Sequence, residues 1–447
     1  MEDQEKIQAL INENPHYPVV LTSINTSNLP FNATILRDYV QHTIQNATTM
    51  AEYIQHQQIF NEKLISNGLV ENVDQNLTVQ LLNKQTPKPL SSSMVAQSVP
   101  PLGLSPYYQF TPVKKFSAKT GSKIGNGEGD GYLEFQLRNY FGTGEKFIMD
   151  VQKGTKTKSS VLLQYQQPFK VWYNTSLSFF QNNRKVSGCT YELSGLKFDF
   201  LTSYHRFSGK HVWNHAISFE SCARTMKNNS RMKSLSVLFQ CQEDWKNSLT
   251  YTISNDTRDN HVSPTMGHLL KFSNELEVTT LWNKFQLEAS KATSTILSSG
   301  RQVSFIGTLK GGTFASLATA SPYVPYIDKF QNGGGNDIRG FDFMGLGDKD
   351  HVDSLGGNHY MSYGLSMMCP LKPGSNFKWH LFFNGGKLCN DAKKLVKVQE
   401  HSTAIGFGIL YSHPSARFEL NFTLPISASE TDLQRKGFQY GLGMSFL

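Results

Sequence analysis

Apolar and polar residues alternate along the second half of the chain, and this pattern constrains the fold more than any other feature. At the end of the sequence every second residue is apolar, namely Phe438, Tyr440, Leu442, Met444 and Phe446. A period of two predicts β-strands with one apolar and one polar face. Strands of about ten residues with an aromatic-rich apolar face are typical of a membrane-spanning β-barrel.

The alternation begins at Tyr132 and recurs often enough to predict about sixteen strands. Residues 123–447 are therefore predicted to form an all-β transmembrane barrel of antiparallel strands. A mean hydropathy of −0.38 does not oppose this fold, because a barrel exposes only every second residue to lipid. The sequence contains no run of about eighteen apolar residues that could form a transmembrane helix.

A small α+β domain is predicted ahead of the barrel, over residues 17–122, after a disordered tail at 1–16. It reads as a strand, two helices and a strand, and Thr49 with Glu52 marks the start of the second helix. Residues 84–108 contain five prolines and are predicted to be a linker.

Several functions find no support in the sequence. The net charge of +8 is scattered, so nucleic acid is not an expected partner. Five cysteines form no Cys-x-x-Cys pair, no histidines show metal-ligand spacing, and phosphate-loop and serine-elbow motifs are absent. We therefore expect no metal, no cofactor and no enzymatic activity. The N-terminus resembles neither a secretory signal nor a matrix presequence, which favours a barrel made in the cytosol for an organelle.

A glycine-rich stretch interrupts the alternating pattern at residues 333–347. It holds one arginine beside a phenylalanine, in the order Ile338, Arg339, Gly340 and Phe341. Glycines permit tight backbone conformations but contribute no side chains to a core, so the stretch has to pack inside something larger. We expect a loop, at about residues 322–355, that folds into the barrel lumen.

The motif around Arg339 resembles the (V/I/L)RG(F/Y) signature of the outer-membrane-protein assembly superfamily. Two further stretches are similar to that family, the second to its mitochondrial branch: residues 256–267, which begin Asp-Thr-Arg-Asp, and residues 415–422. The resemblance covers the chain from about residue 120, and the front domain is similar to a single polypeptide-transport-associated (POTRA) domain.

The resemblance implies a protein of the mitochondrial outer membrane with its amino-terminal domain in the intermembrane space. Such a protein inserts precursor β-barrel proteins into the membrane through an opening between its first and last strands. The expected partners are these precursors, peripheral cytosolic subunits of the sorting and assembly complex, and membrane lipid.

The resemblance also implies partners for Arg339 on the inner barrel wall, at Phe382, Asn384 and Gly386. The alternation independently places Phe382 and Asn384 on the inward face. Asparagine offers hydrogen bonds but no counter-charge, so Arg339 is expected to require a lumenal carboxylate elsewhere.

The two strands at the expected opening have their own signals. The last strand matches the mitochondrial β-signal through Gln439, Gly441, Met444 and Phe446, and its glycines weaken strand pairing. The first strand is predicted over 132–139, with gate residues Leu133, Phe135, Gln136 and Leu137.

Three alternatives remain. A passive outer-membrane channel would share the barrel but would not require the glycine-rich loop or the front domain. A soluble lectin-like sandwich would share the alternation but would be removed from membranes by carbonate. A plastid relative would be expected to carry a transit-like N-terminus or several front domains.

Overall fold

The computed structural model describes residues 16–81, 101–125, 128–155, 157–186, 189–204, 213–228, 234–298, 300–316, 324–351, 353–413, 416–443 and 447. None of the helices in these ranges is both long and apolar enough to cross a membrane. The predicted tail at 1–16 lies almost wholly outside the described residues.

The front domain comprises β1 (Val19–Leu21), β2 (Asn25–Thr26), α1 (Ala33–His42), α2 (Met50–Ser66), β3 (Val70–Leu81) and β4 (Leu102–Pro112), with a 3-10 turn at Ile44–Asn46. In its sheet β4 pairs parallel with β1 and β2 and antiparallel with β3. Thr49 caps α2 by accepting a hydrogen bond from the Glu52 N–H, as the sequence predicts. β4 begins at Leu102, inside the predicted linker at 84–108. Its Pro106 does not interrupt the pairing with β3, so a strand forms there despite the proline.

Within the described residues, sixteen strands form one sheet in which each strand pairs antiparallel with the barrel strand before it. These strands are β5 (Phe116–Gly125), β6 (Glu128–Arg138), β7 (Lys146–Gly154), β8 (Thr157–Phe169), β9 (Tyr173–Val186), β10 (Cys189–Thr202), β11 (Asn214–Asn228), β12 (Glu243–Asp256), β13 (Gly267–Glu277), β14 (Trp282–Ile296), β15 (Gln302–Ser316), β18 (His359–Pro370), β19 (Phe377–Cys389), β20 (Ser402–His413), β21 (Ala416–Ser427) and β22 (Gly437–Gly443).

Short elements occupy the connections between some of these strands. They are α3 (Leu235–Leu238), a 3-10 turn (Tyr326–Asp328), the hairpin of β16 (Lys349–Asp350) and β17 (Asp353–Ser354), α4 (Ala392–Leu395) and a 3-10 turn (Val398–Glu400). The described residues of the segment between β15 and β18, 324–351 and 353–358, are hereafter the lumenal loop.

The alternating pattern separates an outer apolar face from an inner polar one. On β15, Phe305 and Leu309 are exposed on the outside, whereas Ser304 and Thr308 are buried inside. Polar residues can line the interior because the sheet pairs the backbone groups of its strands and the lumen does not face lipid.

The front domain contacts the barrel at one end. Asn67 donates a side-chain hydrogen bond to the Val171 carbonyl at 3.3 Å, and Asn139 donates one to the Leu69 carbonyl at 3.1 Å. Asn139 follows β6 and Val171 follows β8, the second and fourth strands of the barrel, so both lie at the same end of it. The lumenal loop follows β15, the eleventh strand. Because antiparallel strands alternate in direction, this loop leaves from the opposite end, hereafter the far end.

The predicted first strand is wrong by one position. The first strand of the sheet is β5, so residues 132–139 belong to the second strand, and the barrel begins near 116 rather than at 123. The sequence predicts a strand near 113–118 but suggests that it closes the front domain. The middle of β5 reads Ser117, Ala118, Lys119, Thr120 and Gly121, so little apolar alternation marks it as a barrel strand.

Candidate functional site

The lumenal loop folds back into the barrel and lies against the inner wall. Its glycines allow close contact with the wall: a Cβ atom on Gly335 would lie 2.5 Å from the Tyr440 carbonyl oxygen. Gly340 has a φ of +90°, and a Cβ there would lie 2.6 Å from that of Ala404. Larger residues at these two positions would push the loop away from β20 and β22.

Arg339 is fully buried and binds a carboxylate on the inner wall. Its Nε donates to Glu419 Oε2 at 2.9 Å, and its Nη2 donates to Glu419 Oε1 at 3.2 Å. Both side chains are 0% exposed. A planar guanidinium and a carboxylate joined by two hydrogen bonds form a pair with a defined orientation. Glu419 therefore supplies the counter-charge that the sequence leaves unassigned.

Other polar groups, on β21 itself and on β19, complete the surroundings of Glu419. Arg417 forms a second ion pair with it, and Asn421 Nδ2 donates to Oε2 at 2.7 Å. His380 Nδ1 lies 3.9 Å from the same carboxylate. A buried charge requires such partners, because leaving one without them is costly.

The three inner-wall positions suggested by the family resemblance all lie beside the arginine motif. The Arg339 guanidinium carbon lies 4.9 Å from the centre of the Phe382 ring. The Asn384 amide faces the Arg339 backbone, and in the amide orientation that satisfies both groups it donates to the Arg339 carbonyl at 3.2 Å and accepts from the Arg339 N–H at 2.8 Å. A Cβ atom on Gly386 would lie 2.6 Å from Ile338 Cδ1, so glycine leaves room for the motif.

The loop is also attached to the inside of the last strand, β22. Gln439 Oε1 accepts from the Gly340 N–H at 2.8 Å, and its Nε2 donates to the Phe341 carbonyl at 2.9 Å. Asn336 Nδ2 donates to the Leu442 carbonyl at 2.8 Å. The arginine motif and the last strand, for which the sequence predicts a β-signal, are thus joined side by side.

The predicted β-signal includes three further residues, Gly441, Met444 and Phe446. Gly441 lies directly opposite Glu419 in the ladder between β21 and β22. Met444 and Phe446 lie outside the described residues.

The two end strands of the sheet, β5 and β22, lie next to each other. Their Cα atoms approach within 8 Å, yet no ladder joins the described residues of the two strands. The predicted gate residues Leu133, Phe135, Gln136 and Leu137 lie on β6, one strand away from this seam.

The start of the loop is held on another part of the wall. The buried Asp328 accepts from Arg224 Nη1 at 2.7 Å and lies 3.4 Å from Lys246 Nζ, and Lys284 Nζ donates to its carbonyl at 3.0 Å. Arg224, Lys246 and Lys284 lie on β11, β12 and β14. The loop is therefore anchored on both sides of the lumen, by Asp328 on one wall and by Arg339 on the other.

Sequence reasoning missed Glu419 and Asp328 as anchors of the loop. A signal for Glu419 exists, because it occupies a polar position of the alternating strand β21 and so faces inwards. Asp328 lies in an irregular connection, where no periodicity indicates its direction. Among the described residues, no three histidine, cysteine or acidic side chains converge as metal ligands.

A barrel of sixteen strands, with an arginine loop bound to its last strand and an α+β domain in front, defines an outer-membrane-protein assembly barrel. A family model described as the Omp85 superfamily domain matches residues 139–446. The chain is 32% identical over 458 residues to the sorting assembly machinery 50 kDa subunit of Saccharomyces cerevisiae, covering 95% of this chain and 93% of that protein. The chain belongs to the Omp85 superfamily, in the family of these 50 kDa subunits.

Other comparisons agree in fold and extent. The human sorting and assembly machinery component 50 homolog is 28% identical over 371 residues, which cover 78% of this chain and 76% of that protein. Among solved structures, BamA from Haemophilus ducreyi lacking POTRA domains 1–3 superposes with a TM-score of 0.68 at 14% identity. That superposition covers 95% of this chain and 84% of the other, and it supports the fold.

Proposed function

We propose that this protein inserts and folds the precursors of other β-barrel proteins in the mitochondrial outer membrane. The observation that carries the proposal is the seam between β5 and β22, where two edge strands meet without a ladder between their described residues. The name of the Saccharomyces cerevisiae relative, a sorting assembly machinery subunit, supports the same role.

The physical reason for such a seam lies in the membrane itself. Hydrocarbon offers no hydrogen bonds, so a precursor strand with unpaired N–H and C=O groups cannot enter it alone. An edge strand of an opened barrel supplies these hydrogen bonds in advance. Insertion is then driven by strand pairing and apolar burial, and the protein acts without hydrolysis and is not an enzyme.

The two edges of the seam differ in how firmly they are held. β22 is bound from inside by the lumenal loop through Gln439 and Asn336. The described side chains of β5 contribute one ion pair, Lys119 with Glu134 of β6 at 3.6 Å. We infer that β22 stays with the loop while β5 moves away from it, and that β5 receives the first precursor strand.

The front domain and the two barrel ends fit this function. We propose that residues 17–112 form a POTRA domain in the intermembrane space, because two helices pack on a mixed sheet of four strands next to the barrel. The far end then faces the cytosol, where peripheral subunits of a sorting and assembly complex would bind. Gln439, Gly441 and the residues after them would act as the protein's own β-signal.

A passive channel is disfavoured by the filled lumen. The core around the loop contains Phe330, Ile338, Phe341 and Leu346, all buried against wall residues such as Leu388. A loop packed in this way blocks the flow of solutes through the barrel. The same packing suits an insertion function in which the loop controls the position of β22.

Depletion of the protein, followed by import into isolated mitochondria, tests this function. Newly made barrel precursors are expected to accumulate without reaching a carbonate-resistant, folded form. A precursor targeted to the matrix serves as the control and is expected to enter normally. Normal assembly of barrel precursors after depletion would contradict the proposal.

A further inference from the structure

The outer wall of the barrel has an apolar hollow of about 330 Å³ near the far end. It extends across the outer faces of β13, β14, β15 and β18. Its lining includes Phe272, Phe285, Leu287, Leu309, Met361 and Leu395. Five of these side chains belong to strands, but Leu395 comes from α4 in the connection between β19 and β20.

At the hollow, the outward position 311 of β15 has no side chain. Gly311 lies two residues after the outward Leu309, and a Cβ atom there would meet nothing closer than the Tyr360 carbonyl oxygen, at 3.5 Å. α4 passes over this part of the wall and forms the rim with Leu395. Most of the outer wall is covered by large apolar side chains, so this recess differs from the ordinary lipid-facing surface.

Two lysines precede Leu395 in the same helix. Lys393 and Lys394 are exposed, and in the part of the chain that the structure describes neither side-chain ammonium lies within 4.0 Å of a carboxylate oxygen. The acidic residues of this connection are engaged otherwise: Asp391 caps α4, and Glu400 pairs with Lys397 at 3.3 Å. The connection at residues 390–401 carries three lysines against two carboxylates, and through Leu395 it borders the apolar recess at the end of the wall where lipid headgroups begin.

We propose that the hollow binds one acyl chain of an anionic glycerophospholipid, whose headgroup phosphate lies beside Lys393 and Lys394. The recess accepts a hydrocarbon chain because its lining is apolar and open towards the membrane. The lysines select an anionic headgroup, since basic residues next to a membrane attract acidic lipids. This site depends on the barrel standing in a bilayer and not on the proposed insertion function.

Photolabelling of the full-length protein in nanodiscs tests the site. The bilayer is phosphatidylcholine with a trace of phosphatidylglycerol that carries a diazirine on its acyl chain, and labelled peptides are mapped by mass spectrometry. We expect labelling to concentrate on the peptides that contain Leu309, Met361 and Leu395. A phosphatidylcholine probe with the same diazirine is expected to label them much less.

Gly311→Leu fills the hollow and is expected to lower this labelling about tenfold, because fewer methylenes of the probe are buried. Gly307→Leu is the matched control: it lies on the same outer face of β15, and a Cβ atom there would lie 3.5 Å from the Leu365 side chain. Labelling is expected to persist in this control. Because both variants add a side chain to the same strand, a folding defect would affect both.

The double variant Lys393→Gln, Lys394→Gln changes only exposed residues and tests the headgroup separately. We expect it to remove the preference for phosphatidylglycerol over phosphatidylcholine. Uniform labelling around the wall, unchanged labelling in Gly311→Leu, or equal labelling by both probes in the native protein would overturn the proposal. Displacement of the probe by a sterol but not by unlabelled phosphatidylglycerol would also overturn it.

Discussion

Arg339 and Glu419 form a completely buried ion pair, joined by two hydrogen bonds of 2.9 and 3.2 Å across the barrel lumen. It connects the lumenal loop to β21, the neighbour of the last strand. Glu419 also neutralises Arg417, so one carboxylate serves two arginines. Loss of Glu419 is therefore expected to affect both.

Glu419→Gln is expected to lower the free energy of unfolding by about 3 kcal/mol or more, because it leaves two buried guanidinium groups without a counter-charge. Urea titration with heat-modifiable electrophoretic mobility as the readout measures this loss. Glu288→Gln is the control, since Glu288 pairs with Lys310 at 3.8 Å where both side chains are partly exposed. That change is expected to cost about 1 kcal/mol or less.

Arg339→Ala is expected to leave the protein in the membrane but to slow precursor assembly. Strand pairing holds the barrel together without this side chain, whereas the loop loses its anchor on β21. Carbonate extraction and import kinetics measure the two properties. Arg435→Ala, which removes an exposed arginine 3.7 Å from Asp342, is the control. Native assembly rates in Arg339→Ala would contradict the role given to this residue.

Gln439→Ala is expected to release the loop from β22. The change leaves the Gly340 N–H and the Phe341 carbonyl buried without their partner, at a cost of about 1–3 kcal/mol for each group. Hydrogen exchange in residues 336–345 is expected to accelerate. Tyr440→Phe alters the next residue, on the outer face, and is expected to leave this exchange unchanged. Equal protection in both variants would show that Gln439 does not hold the loop.

Asp328→Asn tests the anchor on the opposite wall. The change removes the charge that pairs with Arg224 and Lys246, so the start of the loop is expected to exchange amide hydrogens faster over residues 324–330. Asp244→Asn removes another carboxylate from the same Arg224, but its side chain is 32% exposed. We expect that control to have a smaller effect, because a solvated carboxylate contributes less.

The contact between the front domain and the barrel is expected to depend on pH through Lys63. This side chain donates to the Ser203 carbonyl, and its burial lowers its pKa from 10.5 to about 8, while Glu62 acts in the opposite direction. Between about pH 8 and pH 10.5, the docked domain therefore binds fewer protons than the free domain. Docking is weakest below about pH 8 and strengthens as pH rises towards 10.5.

Hydrogen exchange in residues 139–145 between about pH 7.5 and 9.5, corrected for intrinsic exchange rates, measures this dependence. That window stays below the titration of Tyr39, whose pKa burial raises to about 12. Lys63→Met is expected to give protection that does not vary with pH. Protection in the native protein that falls as pH rises would contradict the assignment.

The strongly alternating strands were predictable from the sequence, because each must present one face to lipid and one to the lumen. β19 and β21 are examples, and the inward direction of Phe382 and Asn384 follows from the same rule. The place of β5 in the barrel was not predictable, since Ala118 and Thr120 at the outward positions of its middle are small or polar and its place is decided by pairing with β6.

The site was only partly predictable for a related reason. The glycine-rich motif is visible in the sequence, but its partners are up to about a hundred residues away, at Glu419 and Gln439. The alternation predicts which face of a strand a residue occupies, but it does not predict which lumenal group that residue contacts. Asp328 lies outside any alternating strand, so the sequence does not predict which way its side chain points; only the folded loop shows this.

Disulfide crosslinking during import tests the central claim, that precursor strands pair with β5 at the seam. Ser117 and Gln136 lie directly opposite each other on β5 and β6 and both face inwards, so cysteines at these positions form a matched pair. A disulfide requires Cβ atoms about 4 Å apart, which only an adjacent strand provides. The account predicts that Ser117→Cys crosslinks to a cysteine in the precursor's signal strand and that Gln136→Cys does not. Equal crosslinking at both positions, or none at Ser117→Cys while precursors still assemble, would contradict it.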